Sequence, residues 1–147
     1  MLNKLRVRVQ EEKGFTLVEL LVVMLILGLL AAIAIPSFFN QRDKARDADA
    51  KASVRTAQTA METYATDHGG DYTPTPTQTQ LTAIENSLAN IPAGDLTAVS
   101  TDDTYTVTVD SATGENTFSI TRASSGALTY PCTTPDNDGC PTGGWGG

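Results

Sequence analysis

The sequence predicts an α+β protein in which one long amino-terminal helix packs on a small antiparallel sheet of about three strands. Three observations predict it: 20 consecutive uncharged residues from Leu20 to Phe39, apolar residues at helical steps from Ala50 to Tyr64, and strict alternation from Tyr105 onward. The 147 residues suffice for one compact domain and are too few for two of full size. With 10 basic and 17 acidic residues the net charge is −7, which argues against nucleic acid as a partner, because phosphates call for a basic patch.

Charge divides the chain into three parts. Residues 1–14 carry Lys4, Arg6, Arg8 and Lys13 against Glu11 and Glu12, a net +2, whereas residues 40–147 carry 6 basic and 14 acidic residues, a net −8. Between them lies the apolar segment 15–39. Its 20-residue uncharged run makes ~30 Å of helix at ~1.5 Å per residue, which matches the hydrocarbon core of a bilayer. The Lys/Arg bias orients it with the amino terminus cytoplasmic and the bulk of the chain on the far side. Glu19 is the single charge inside the segment. A carboxylate at mid-helix costs about 2.5 to 3.5 kcal/mol, and less near an end. Fourteen Leu, Ile, Val and Phe residues from Phe15 to Ile35 offset this by ~4 to 8 kcal/mol. Insertion wins, and Glu19 needs a partner.

The string KGFTLVELLVVMLILGLLAAIAIP, residues 13–36, resembles the prepilin amino terminus of the type IV pilin and pseudopilin family. The resemblance covers roughly residues 13–55. It implies that residues 1–14 are a leader cut off by prepilin peptidase between Gly14 and Phe15, and that Phe15 becomes an N-methylated first residue. It implies also that Glu19 of an incoming subunit meets the Phe15 amine of a neighbour, and that Gly28 and Pro36 act as helix breakers in the filament. Elementary electrostatics gives the Glu19 spacing a reason, since cleavage creates a cationic amine one helical turn from the carboxylate. A buried ion pair broken on one side costs about 3 to 5 kcal/mol, so the pair can select register even where it adds little net stability. An ordinary secretory signal competes for the same residues, with Ala32-Ile33-Ala34 as its A-x-A site and a mature start near Ile35. Glu19 at the start of the apolar run speaks against it.

Residues 40–68 continue as an amphipathic helix, because Ala50, Val54, Ala57, Met61 and Tyr64 recur at steps of 4, 3, 4 and 3. Asp43 with Arg46 and Asp47 with Lys51 are spaced for side-chain pairing, and Gly69-Gly70 stops the helix. Residues 69–95 form a connection in which Pro74 and Pro76 exclude regular helix, after which Leu81, Ile84 and Leu88 indicate one short helix closed by Pro92. Residues 96–147 hold the sheet. Tyr105, Val107 and Val109 alternate with threonines, Phe118 and Ile120 follow across a Ser111–Asn116 loop containing Gly114, and Ala127–Tyr130 makes a third run. The apolar face of this meander is expected to cover the helix stripe, the ladle of the pilins. Cys132 and Cys140 are the only cysteines, and on the translocated side they are expected to form a disulfide, stabilising by about 2 to 3 kcal/mol in the chain-entropy model.

Catalytic groupings are missing from the sequence. His68 is the one histidine and sits where an imidazole caps helix carbonyls or faces solvent. Asp136 and Asp138 give a weak calcium candidate, short of the ligands a full loop needs. No Ser/His/Asp set, phosphate-cradling glycine motif or zinc spacing is present, so no enzyme and no cofactor is expected. The expected function is a structural subunit, the major pilin of a type IV pilus. Its partners would be other copies of itself, prepilin peptidase, the pilus assembly platform and minor pilins. It would lie in the cytoplasmic membrane before assembly and in a cell-surface pilus afterwards. Two alternatives remain at this point: a pseudopilin of a type II secretion system, and a membrane-anchored binding module that does not polymerise.

Overall fold

The computed structural model describes residues 14–137 and 139–146. The expected leader up to Lys13, and Asp138, lie outside the described residues. The elements in chain order are α1 (Leu17–Asp67), α2 (Gln78–Ile84), a 3-10 helix (Asn86–Asn90), β1 (Leu96–Ser100), β2 (Tyr105–Asp110), β3 (Thr117–Arg122) and β4 (Leu128–Thr129). The chain divides into two compact units between Phe38 and Phe39.

In the first unit the apolar side chains of α1 stand outward, with Leu17 73% and Ile33 77% exposed. Among the described residues α1 is the one helix long and apolar enough to cross a membrane. Gly28 and Pro36 both lie within it, and Pro36, lacking an N–H, leaves one backbone acceptor of the preceding turn without its usual donor.

In the second unit the remainder of α1 buries one face: Asp47, Ala50, Val54, Ala57, Ala60, Met61, Tyr64 and Ala65. Four of these eight are alanines, and Ala50, Ala57, Ala60 and Ala65 all belong to the hydrophobic core. The sheet is antiparallel throughout, in the order β1-β2-β3-β4, and its register sets Val107 opposite Ile120 and Val109 opposite Phe118. These residues, with Leu96 and Tyr105, form the core against α1. The other face is hydroxylic, with Thr106 paired to Thr121 at 3.0 Å and Thr108 to Ser119 at 2.8 Å. The sheet thus has four strands where the sequence indicated about three. The added strand is β1, whose Val99 is 69% exposed and so breaks the polar-out alternation by which the others are recognised.

The turns follow their residues. Gly114 takes φ +74° in the β2–β3 hairpin, which Ser111 N–H closes by donating to the Asn116 carbonyl at 2.9 Å. At the end of α1, Gly70 N–H donates to the Ala65 carbonyl at 2.7 Å and His68 Nδ1 to the Tyr64 carbonyl at 2.7 Å; of the two placements the sequence left open for this exposed histidine, it caps the helix. The single short helix expected over Leu81, Ile84 and Leu88 is two pieces, α2 and the 3-10 helix, because Glu85 between them is extended. Thr77 and Gln80 close the start of α2 with a capping box. Asp43 and Arg46 pair at 3.8 Å as expected. The Asp47–Lys51 pair is not formed: Asp47 is fully buried, and Lys51 Nζ lies 5.1 Å over the Phe118 ring.

Candidate functional site

Glu19 meets its partner within its own first turn. Thr16 is the residue before α1, and its backbone N–H and its Oγ1 hydroxyl each donate to Glu19 Oε2 at 3.0 Å. Glu19 N–H donates back to Thr16 Oγ1 at 3.2 Å, and Leu20 N–H begins the helical ladder on the Thr16 carbonyl at 3.2 Å. This is a reciprocal capping box, which satisfies donors that a helix start otherwise leaves open and puts a negative group at the positive end of the helix dipole. Sequence reasoning weighed Glu19 alone and missed Thr16. The signal was present as Thr16-x-x-Glu19 ahead of an apolar run. Phe15 is 80% exposed, and among the described residues a Cβ built on Gly14 would meet nothing within 4 Å.

The carboxy-terminal cysteines lie together, as Cys132 and Cys140 form a disulfide with Cα atoms 5.8 Å apart. Its loop is tied to α1 through Asp47, which accepts from Gly139 N–H at 3.0 Å, Ser111 Oγ at 2.6 Å and Asn116 Nδ2 at 2.8 Å. Asp136 adopts φ +65° and accepts a hydrogen bond from Thr142; Asp138, its companion in the calcium candidate, lies outside the described residues. Trp145, whose neighbours the sequence did not reveal, packs edge-on against Phe118 and Tyr130 and lies 5.1 Å beneath the Arg55 guanidinium.

Glu62 joins α1 to the end of the sheet where β2 begins and β3 finishes. Tyr72 and Tyr105 hydroxyls donate to its two oxygens at 2.7 and 2.8 Å, and Arg122 Nε lies 3.6 Å away. Burial, aided by the Glu62 hydrogen bond and charge, pushes the Tyr72 hydroxyl up to about 12 and moves Tyr105 in the same direction.

A family model described as the prokaryotic N-terminal methylation motif matches residues 10–35. Type IV wide pilus major component PilA4 of Thermus thermophilus is 31% identical over 124 residues, 84% of this chain and 82% of that protein. Type IV major pilin protein PilA of Myxococcus xanthus is 40% identical over 52 residues, 35% of this chain and 24% of that protein. Type II secretion system core protein G of Pseudomonas aeruginosa is 36% identical over 59 residues, 40% of this chain and 42% of that protein. The chain thus spans less than half the length of the last two. None of the three is named as an enzyme. A likeness that runs through both helix and sheet at this level identifies the relationship: the chain belongs to the type IV pilin and type II secretion pseudopilin family.

Proposed function

We propose that this chain is a structural subunit, the major pilin, of a type IV pilus. Before assembly the apolar half of α1 holds it in the cytoplasmic membrane with the amino terminus cytoplasmic. Prepilin peptidase cuts between Gly14 and Phe15, Phe15 is N-methylated, and an assembly platform with minor pilins adds the subunit to a polymer of its own copies. The observation that carries this reading is the 31% identity to a wide-pilus major component along 84% of the chain.

The exposed apolar half of α1 exchanges lipid for copies of itself, so polymerisation gains little from apolar transfer alone, and Glu19 supplies register. In the uncleaved chain the carboxylate is satisfied by the Thr16 N–H and hydroxyl. Cleavage adds a cationic amine at Phe15, and a neighbour's amine offers the carboxylate a full opposite charge. A Cβ on Gly14 would meet nothing within 4 Å among the described residues, and the glycine before the cut is what the family resemblance implies for recognition by the peptidase. The stretch between Gly28 and Pro36 gives up helical hydrogen bonds in the filament, with Pro36 contributing a bond already missing. The second reading, a pseudopilin, draws on the likeness to the secretion-system core protein, which is confined to 59 residues.

The test is Glu19→Ala in cells that carry the assembly machinery. The variant is expected to be cleaved and membrane-inserted, while sheared surface filaments fall at least ~100-fold, in line with about 3 kcal/mol or more for an unmatched buried charge. Normal filament yield from processed Glu19→Ala would overturn the role of Glu19. Wild-type chain that stays with the membrane and never enters sheared filaments would favour the pseudopilin.

A further inference from the structure

Beyond Phe39 the basic residues are strongly segregated. Five of six, Arg42, Lys44, Arg46, Lys51 and Arg55, fall within 14 residues of α1. Three are engaged within the chain: Lys51 over Phe118, Arg55 over Trp145 and Arg46 beside Asp43. Arg42 and Lys44 are exposed and form no ion pair among the described residues; Arg42 reaches only the Phe39 ring, 6.0 Å away.

A groove runs beside the same helix, between α1 and the segment from Ser87 to Asp95. It consists of two adjoining depressions of about 480 and 160 Å³ that share Asp49, Ser53, Asn90 and Ile91. The smaller one is edged by Asp49, Asp95 and Asp110, with Arg46 as its one cation and Ala50, Ile91 and Val109 among its apolar lining. None of the three carboxylates forms an ion pair among the described residues.

The chain's own exposed cations, Arg42 and Lys44, pair with none of these carboxylates among the described residues. Arg42 stands seven residues before Asp49, ~10.5 Å along the helix, and Lys44 stands five residues before it, ~7.5 Å along and ~140° around. We propose that the acid-edged groove receives Arg42 and Lys44 of a second copy of this chain. The inference rests on the pilus reading and adds a contact to it. The charges are complementary, and the apolar lining suits the aliphatic stems of Arg and Lys. Donor and acceptor are different patches, so the contact is heterologous, the kind that repeats from copy to copy in a filament where the rotation does not close a ring.

The experiment uses the full chain in cells with the assembly machinery, reading sheared filaments against the amount of chain in the membrane. Arg42→Glu with Lys44→Glu is expected to lower filament yield ~10-fold or more, and so is Asp95→Lys with Asp110→Lys, because like charges then face one another. All four substitutions together restore the complement and return the yield to within ~3-fold of wild type. Normal yield from either pair, or a fourfold variant no better than the pairs at equal membrane level, overturns the proposal. Should a variant be degraded, Lys44→Cys with Asp95→Cys decides: a ladder of cross-linked copies in oxidised filaments supports the contact, and intact filaments without a ladder overturn it. Wild-type chain absent from filaments overturns the pilus reading itself, whereas wild-type filaments with unaffected charge variants overturn the groove contact alone.

Discussion

Asp47 is a carboxylate on the buried face of a helix, a placement that costs several kcal/mol unless its lone pairs find donors. Ser111, Asn116 and Gly139 supply three, which pins α1 to the β2–β3 hairpin and to the disulfide loop. Asp47→Ala leaves the buried Ser111 and Asn116 donors and the half-buried Gly139 N–H without their acceptor and is expected to lower stability by about 3 kcal/mol, read as a reduced urea midpoint of the detergent-solubilised protein; an unchanged midpoint would contradict the tie. Gly139 belongs to the same joint, since a Cβ there would lie 2.7 Å from Asp47 Cβ. Asp47 stands three residues before Ala50, so the helical stripe pointed at it, but its charge suggested a surface pair with Lys51. Periodicity was the better guide than residue type. Tyr72 gives a pH dependence. Its hydroxyl ionises near 10 in the unfolded chain and about 12 in the folded one, so from about pH 10 to 12 the unfolded chain binds fewer protons and stability falls as pH rises. Denaturation at about pH 9 and 11.5 should show the loss, and Tyr72→Phe should reduce it.

Elements were legible in proportion to the regularity of their pattern. The stripe of α1 and the alternation of β2 and β3 repeat often enough to be read from the chain. β1 was not, because Val99 faces solvent, and the connection was read as one helix because Leu81, Ile84 and Leu88 keep helical spacing across the extended Glu85. The carboxy-terminal tail carries no period at all, yet it is packed. Trp145 donates from Nε1 to the Ser119 and Pro131 carbonyls at 3.1 Å each, and its backbone N–H bonds the Tyr130 carbonyl at 3.0 Å. The flanking glycines are what the fit requires: Gly144 takes φ +90° and its Cβ would stand 2.6 Å from the Tyr130 oxygen, while one at Gly146 would stand 2.1 Å from the Tyr130 ring. Trp145→Ala should therefore lower stability by about 3 kcal/mol, measured as a reduced thermal midpoint by circular dichroism; an unaltered midpoint would mean the tail contributes nothing to the fold.

At the scale of the molecule, the first unit exposes an apolar helix that water does not tolerate, and the second carries a closed core of helix and sheet. The family was legible because the string around Gly14, Phe15 and Glu19 lies within the stretch that matches the N-terminal methylation motif, residues 10–35. What that string left unread was cooperative: Thr16 matters only through its geometry with Glu19, and the groove only through residues from α1, the connection and β2 brought side by side. On the pilus reading, this chain becomes a filament subunit by losing residues 1–14. Intact mass and amino-terminal sequencing of the chain sheared from cells test it most directly. The prediction is a filament subunit that begins at N-methylated Phe15, heavier by one CH2 than the unmethylated chain and lighter by two hydrogens for the disulfide. A filament subunit beginning at Met1 or near Ile35, or a Phe15 terminus found only in membranes, would contradict it.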